Sequence, residues 1–430
     1  MSVKESEAKE GASTFSDKDQ VYAIIGAGAA GCFAAANMPY VPGRKVVVFE
    51  KTGKVLQKVK ISGGGRCNTT HNLFDIAELV GKYPRGKQLL KKTLHEFGPK
   101  QTIEWFAQRD VALKAEEDGR MFPTTDDSQT IIKCLWEQMM RNQVEVKYHK
   151  SVERIERKGE GFLLHFADKS AHYARKILIT CGGFPKAEQY HWIKALGHTI
   201  HAPVPSLFTF NIPRHPITEL MGVSVPHVTV KVAGTRIVEH GPVLITHWGL
   251  SGPAILRASA WGAIELHERN YDFQVVVNWL HDVKEAGLRD RIMEIRRLQG
   301  GQPVQHKNPF NLPRRLWEFL LLESGVKEEI RWGDLPSSEQ NRLIEQLIRH
   351  PFHVRGKTTF KEEFVTSGGV TISEIDPRTM ESRVVPGLFF AGEILNVDGI
   401  TGGFNFQHAW SSAWIAANSL IKCLPNSPLR

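Results

Sequence analysis

Gly26, Gly28 and Gly31, followed by a carboxylate at Glu50, have the types and spacing that hold a dinucleotide by its phosphates and one ribose. Gly26 permits a tight turn out of the apolar run Val21 to Ile25. Gly28, lacking a Cβ, lets backbone approach a pyrophosphate, and Gly31 lets the next helix pack close to the sheet. The helix opening at Ala29 and Ala30 would offer the phosphates free N–H groups and a positive dipole end. Val46 to Phe49 reads as the next strand and delivers Glu50, with Lys51 beside it, about 20 residues past the glycines. There a carboxylate accepts hydrogen bonds from a ribose 2′-OH and repels a 2′-phosphate. The alternative is a glycine turn in an unrelated α/β protein, with Glu50 merely solvated.

A second constellation stands near the other end, in GLFFAGEILNVDGITGGFNFQHAWSSAWIAA. The apolar run Leu388 to Ala391 ends at Gly392 and Glu393, and Gly402 and Gly403 then open a helix. In a flavin enzyme such a helix start can face the N1 and C2=O edge of the ring, where negative charge collects on reduction. Amides at Gly403, Phe404 and Asn405 would stabilise that charge, and Glu393 would meet ribityl or ribose hydroxyls. The alternative is an ordinary turn before a packing helix; the N-terminal glycines tip the reading toward a flavin.

The catalytic residues stay open, with Arg66, His247 and Asn405 as candidates. Arg66 suits a phosphate or an anionic substrate as well as it suits a structural carboxylate. His247, in THWGLSG, is an acid or base, or a satisfied core or interface histidine. Asn405 is a donor to the flavin through side chain or backbone. Cys67 beside Arg66 raises a redox thiol, but without a CxxC partner it reads as a packed small side chain. No Ser, His, Asp order and no metal-ligand spacing is visible, so no metal is expected. Nor does a second GxGxxG follow a strand, so NADH or NADPH is expected at most as a transient electron donor.

The elements that position these residues must come from more than one domain, because 430 residues exceed the usual 100 to 200 or so of a single core. Hydrophobic residues make up 41% and charged residues 23%, ordinary for a globular chain, and no run of about 18 apolar residues suggests a membrane span. Five scattered cysteines argue against a disulfide framework, and a cytoplasmic location is expected. The net charge of +9 is spread among acids, so it reads as solvated faces rather than a nucleic-acid surface, and a small-molecule substrate is the expected partner. The oligomeric state is left open.

Along the chain, residues 1–19 read as a disordered tail and 20–200 as the N-terminal part of a dinucleotide-binding domain. From 201 to 280 the texture becomes Pro-punctuated and β-rich, and from 281 to 354 it is helical, with Leu288 to Leu298, Arg314 to Ser324 and Ser338 to Ile348 as helices. Strand and glycine-turn style returns over 355–430. The predicted fold is α/β, a discontinuous Rossmann-like domain carrying an inserted β-barrel-like domain and a helical segment.

Four separated strings resemble the YhiN/BaiN family of flavoproteins, a branch of the two-dinucleotide-binding-domain superfamily. They are Gly26 to Gly31 with Glu50; ISGGGRCN at Ile61 to Asn68; GPVLITHWGLSGPAILRAS at Gly241 to Ser259; and Val365 to Ala417. GRMFP at Gly119 and TCGG at Thr180 extend the resemblance to nearly everything after the tail. It implies a noncovalent FAD gripped by both ends of the chain. Ser62, Gly63, Gly64, Gly65, Arg66 and Asn68 would lie near pyrophosphate and flavin, Val152 by adenine, and Thr180, Gly182 and Gly183 over the adenosine half. Lys58 and Gly392 complete the expected cofactor set. Leu56, Gln57, Lys60, Phe404 and Ala413 depart from the family's usual residues, Phe404 standing where a Tyr is usual. The implied activity is FAD-dependent hydride transfer at N5 on a small organic substrate, such as reduction of an activated C=C with NAD(P)H. An amine or alcohol oxidase, an RNA-modifying or RNA-binding flavoprotein, and FAD as a purely structural ligand are the alternatives.

Overall fold

A computed structural model describes residues 20–358 and 365–422, so the expected tail and Cys423 lie outside the described residues. Five strands form one parallel sheet: β1 (Gln20–Ile25), β2 (Arg44–Phe49), β3 (Glu145–Lys147), β4 (Lys176–Ile179) and β5 (Leu388–Phe390). Their order is β5-β4-β1-β2-β3. Ala23 of β1 pairs with Val47 on one side and Ile177 on the other. Nearly every residue of β1, β2 and β5 is buried, the pattern of a parallel sheet covered on both faces. Because β5 comes from near the C-terminus, the two ends of the chain share one sheet.

Three helices matter for the site: α1 (Ala29–Ala36), α2 (Ser128–Arg141) and α3 (Phe404–Lys422). The Asp127 side chain caps α2 by accepting from the Gln129 amide, which stops the preceding turn and starts the amphipathic run that buries Ile131, Leu135 and Met139. α1 is built of Ala, Gly and Cys with one Phe, and only such small residues let it pack against both α2 and α3. Phe33 of α1 is fully buried, its ring 4.6 Å from that of Trp105 and 5.1 Å from that of Trp410 on α3. Gln407 of α3 ties down the neighbouring segments: its Oε1 accepts from the hydroxyls of Thr70 (2.6 Å) and Thr102 (3.0 Å), and its Nε2 donates to the Phe97 carbonyl (3.3 Å).

Ile200–Ser206 pairs antiparallel with Val365–Val370, and this two-stranded neck leads out of the sheet domain and back. The expected boundary at 201 falls inside the neck. Beyond it, a second hydrophobic core runs from Phe208 to Val354. Its sheet has seven strands in the order 350–355, 272–278, 224–232, 238–246, 249–251, 209–211, 357–358. The first and last of these are separated in sequence by Gly356 alone, so one continuous stretch pairs with both edges and the sheet closes into a barrel. Closure removes the exposed edges an open antiparallel sheet would carry. The helices Glu285–Gln299, Arg314–Glu323 and Ser337–Ile348 bury Leu288, Leu320 and Leu347 in this same core, so the β-rich and helical stretches form one body.

The two bodies are pinned by buried charge. Asp398, fully buried, pairs with Arg85 through both carboxylate oxygens and accepts from the Ser206 hydroxyl of the neck (2.8 Å). Arg85 also donates to the Ala260 carbonyl of the inserted body (2.8 Å). Burial pushes the Asp398 carboxyl up, and the Arg85 guanidinium opposes that shift.

Candidate functional site

A cleft of about 700 Å³ opens where the C-terminal edges of β1, β4 and β5 meet α3 and the inserted body, a size typical of ligand sites. Its walls come from both ends of the chain. Gly26, Gly28, Ala29, Ala30, Glu50, Lys51, Lys58, Ser62, Gly63, Gly64 and Asn68 line it from the N-terminal part. Thr180, Gly182, Gly183, Gly392, Glu393, Gly402, Gly403 and Asn405 complete the lining expected from sequence.

At the first end, the turn is built by close approach. A Cβ on Gly31 would lie 1.9 Å from the Gly26 carbonyl oxygen and 2.7 Å from the Thr180 hydroxyl, so α1 can sit this near the strand only with glycine there. Gly31 itself faces the sheet and not the cleft. Gly28 precedes α1 in extended conformation with no side chain capping the helix, and nothing lies within 4 Å of where its Cβ would be. Glu50 braces this turn: Oε2 accepts from the Ala27 amide (2.9 Å), and Oε1 accepts from the amide and hydroxyl of Thr52 (2.8 and 2.9 Å). With about four acceptor sites on a carboxylate, one on Oε2 remains for a ligand hydroxyl.

The segment Gln57–Gly65 is helical at first, breaks at Ser62, and turns left-handed through Gly63 and Gly64, with φ of 60° and 70°. Gly63 and Gly64 face the cleft; Gly65 and Arg66 do not. Arg66 donates to Glu116 (2.6 Å), lies 3.6 Å from Asp126, and stacks over the Phe122 ring at 4.0 Å. Of its two expected fates, the structural carboxylate is the one present, and Glu116 holds the guanidinium above its ordinary pKa. Cys67 is fully buried, and burial pushes its thiol up to about 12, which suits a packing role.

The second end differs from the expectation in three ways. The Gly403 amide is already occupied, since with its amide oriented for hydrogen bonding Asn68 accepts from it at 3.0 Å and donates to the Thr70 carbonyl at 3.1 Å. Asn405 uses its side chain on Gly399, accepting from the amide (2.8 Å) and donating to the carbonyl (2.9 Å). Phe404 turns inward, its ring 4.7 Å from the stacked His71 ring, and its carbonyl accepts from Tyr83 (2.7 Å). Of the three amides expected at the flavin edge, those of Phe404 and Asn405 have no acceptor among the described residues. Glu393 is held too: Lys58 pairs with it at 2.6 Å, and the Thr366 amide donates to its other oxygen at 2.9 Å.

Two remaining expectations fall away from the cleft. His247 is an exposed residue at the tip of the hairpin between Val238–Thr246 and Gly249–Ser251, stacked edge-on against Trp248. Val152 opens the strand Val152–Lys158 and packs against the core of the sheet domain. Conversely, Thr209 and Leu256 of the inserted body, Arg120 and His408 line the cleft although sequence reasoning did not single them out. Arg120, Leu256 and His408 lay within the quoted strings at Gly119, Gly241 to Ser259 and Val365 to Ala417; Thr209 carries no local signal, because only barrel closure brings it there. The structure also brings together Ser382, His198 and Glu374, with the histidine between hydroxyl (3.1 Å) and carboxylate (2.9 Å). The His198 side chain is wholly buried and the Ser382 oxygen accepts from the Val384 and Val385 amides, so this trio braces backbone, and none of its three residues lines the cleft. No described helix is long and apolar enough to cross a membrane.

The sequence profile of a family described as HI0933-like protein Rossmann domain matches residues 20–419. The chain belongs to that family. This HI0933-like protein is 31% identical over 413 residues to a ribosomal RNA dihydrouridine synthase of Escherichia coli (strain K12), covering 93% of this chain and 97% of the relative. It is 28% identical over 414 residues to a protein of the same description from Haemophilus influenzae, covering 93% and 98%. It is also 26% identical over 407 residues to a 3-dehydro-bile acid delta(4,6)-reductase of Clostridium scindens, covering 92% and 98%. The family membership agrees with the YhiN/BaiN resemblance read from the four strings.

Proposed function

We propose that this HI0933-like protein is an FAD-dependent reductase of a C=C bond conjugated to a carbonyl. Membership of its family makes the chain an oxidoreductase; FAD, the direction and the substrate class are the substance of the proposal. The observation that carries it is one cleft gripped from both chain ends. An open helix start at Gly28 and a carboxylate with one free acceptor site line one part of it, and the first turn of α3, its Asn405 amide without an acceptor among the described residues, lines another. A dinucleotide fits these residues on their own terms, since Gly28, Gly64 and Gly182 each have open space where a Cβ would be. FAD, when bound, supplies two-electron hydride chemistry at N5. The Gly28 turn and α1 would hold its diphosphate, Glu50 its ribose, and the Phe404 and Asn405 amides its electron-rich edge. Thr209 and Leu256 would roof the substrate and keep water out.

Reduction is favoured over oxidation by the relatives' printed activities. Making dihydrouridine and reducing a delta(4,6) bile acid both saturate a C=C next to a carbonyl. Purified protein should be yellow and release FAD on denaturation, and anaerobic mixing with NADH or NADPH should bleach the flavin. Colourless protein that takes up no FAD overturns the reading, and a flavin indifferent to both nucleotides shifts it to an oxidase.

A second reading makes the substrate a uracil within RNA. Two relatives carry that description, and Lys51, Lys54, Lys58 and Arg120 line the cleft of a chain with net charge +9. Dihydrouridine formed in ribosomal RNA from a strain lacking it, with salt-sensitive retention of RNA, would establish it. Turnover on small enones without RNA would refute it.

A further inference from the structure

His408 lies one helical turn past the start of α3, is 2% exposed, and lines the cleft. Its Nε2 sits 3.2 Å from the Gly392 carbonyl oxygen. A carbonyl only accepts, so Nε2 carries the proton. Burial pushes the imidazole down to about 4, so near neutral pH the ring has that one proton and Nδ1 is a bare acceptor. Nδ1 is buried with no donor among the described residues. An acceptor left unmade in a protein interior is destabilising, and a native fold rarely keeps one without a partner.

The position of this nitrogen narrows what the partner is. Gly392, which His408 grips, is pressed onto α1, for a Cβ there would lie 2.8 Å from the Ala30 Cβ. His408 therefore stands between the α1 start, which the proposed function assigns to the diphosphate, and the Phe404–Asn405 amides, which it assigns to the flavin edge. In FAD the ribityl chain spans that interval. Phosphates offer acceptors only, whereas ribityl hydroxyls can donate. We infer that His408 is a cofactor-binding residue whose Nδ1 accepts a hydrogen bond from a ribityl hydroxyl of FAD. The inference rests on the FAD reading above and adds a neutral contact where the other expected contacts are amides and charges.

Two substitutions separate this role from simple packing. His408→Gln keeps an N–H near Nε2 for Gly392 and removes the acceptor at the Nδ1 position; His408→Asn keeps an acceptor there and loses the Gly392 bond. Apoprotein titrated with FAD, followed by flavin fluorescence, should bind roughly 3- to 10-fold more weakly in the Gln variant, the size of one hydrogen bond. The Asn variant should stay within about 2-fold of the unmodified protein. ADP, which lacks the ribityl chain, should bind all three equally. Equal FAD affinity in the Gln variant, equal loss in both variants, or a parallel loss of ADP affinity overturns the inference while leaving the FAD reading in place. Absence of FAD binding in the unmodified protein overturns both. Thermal melts of the apoproteins check folding, and a Gln variant that melts early while the Asn variant binds FAD normally still counts for the acceptor.

Discussion

The two helix starts that face the cleft are both glycine turns, one directly after β1 and the other about a dozen residues after β5, yet they are built differently. At α1 no side chain caps the helix itself, Glu50 holds only the Ala27 amide ahead of it, and Gly28 looks into open space. At α3 the backbone is braced, with Asn68 on the Gly403 amide and Asn405 holding Gly399. A bare helix start is suited to a fully charged diphosphate, which satisfies the amides itself. A braced one keeps fixed dipoles in place for a group whose charge appears only during reaction. A glycine motif thus states that a turn is present, and the neighbours decide how many of its amides are free.

The comparison breaks first at the glycines. Gly31→Val should abolish folded protein, since the new side chain begins 1.9 Å from a backbone oxygen, and its cost should exceed about 4 kcal/mol. Gly28→Val should leave the melting temperature within a few degrees and weaken FAD binding at least about 100-fold, by filling the space for the diphosphate. If Gly28→Val unfolds the protein, or Gly31→Val folds and binds FAD, the assignment of packing to one glycine and binding to the other is lost.

At the braced end, Asn68→Ala strands the Gly403 amide and the Thr70 carbonyl and should lower unfolding free energy by about 1–3 kcal/mol in urea titrations. An unchanged midpoint would mean that the brace contributes nothing. Both regions also hold a buried neutral histidine: His172 beside Phe49 of β2, and His408 on α3. Burial pushes each down to about 4, from an ordinary value near 6.5. Between those values the unfolded chain binds more protons than the folded one, so stability should fall as pH drops from about 6.5 to 4, and these two groups should add no further loss below that. A urea midpoint constant from pH 7 to 4.5 would contradict it. The smallest effect is at Cys67, which should resist alkylation at pH 8 in native protein and react once unfolded. Rapid native labelling would reopen the redox-thiol reading.

Much of this was legible in the chain. The strands at Val21, Val46 and Leu388 and the three helices of the inserted body fall within a few residues of where apolar periodicity and turn residues put them, since such signals are local. The side-chain partners of Arg66 and Phe404 were not legible, because each depends on a segment distant in sequence, and Asn405 spends its side chain on the nearby Gly399 in a loop that carries no periodic signal. Arg66 meets Glu116 across a small antiparallel sheet, and Phe404 meets His71 only once α3 docks on that segment. His247 looked chemical by its neighbours, but a two-residue hairpin tip carries it into solvent.

By itself the sequence determined which stretches are strands and helices, where turns need glycine, and that two such turns exist near opposite ends, because backbone sterics and hydrophobic period are properties of neighbouring residues. Tertiary structure alone decided which amides stay free, which carboxylate sites remain open, which inserted residues line the cleft, and that His408 lines it while keeping a buried, unpartnered nitrogen. Those are questions of hydrogen-bond accounting between segments hundreds of residues apart, and they have no answer until the sheet joins both ends of the chain.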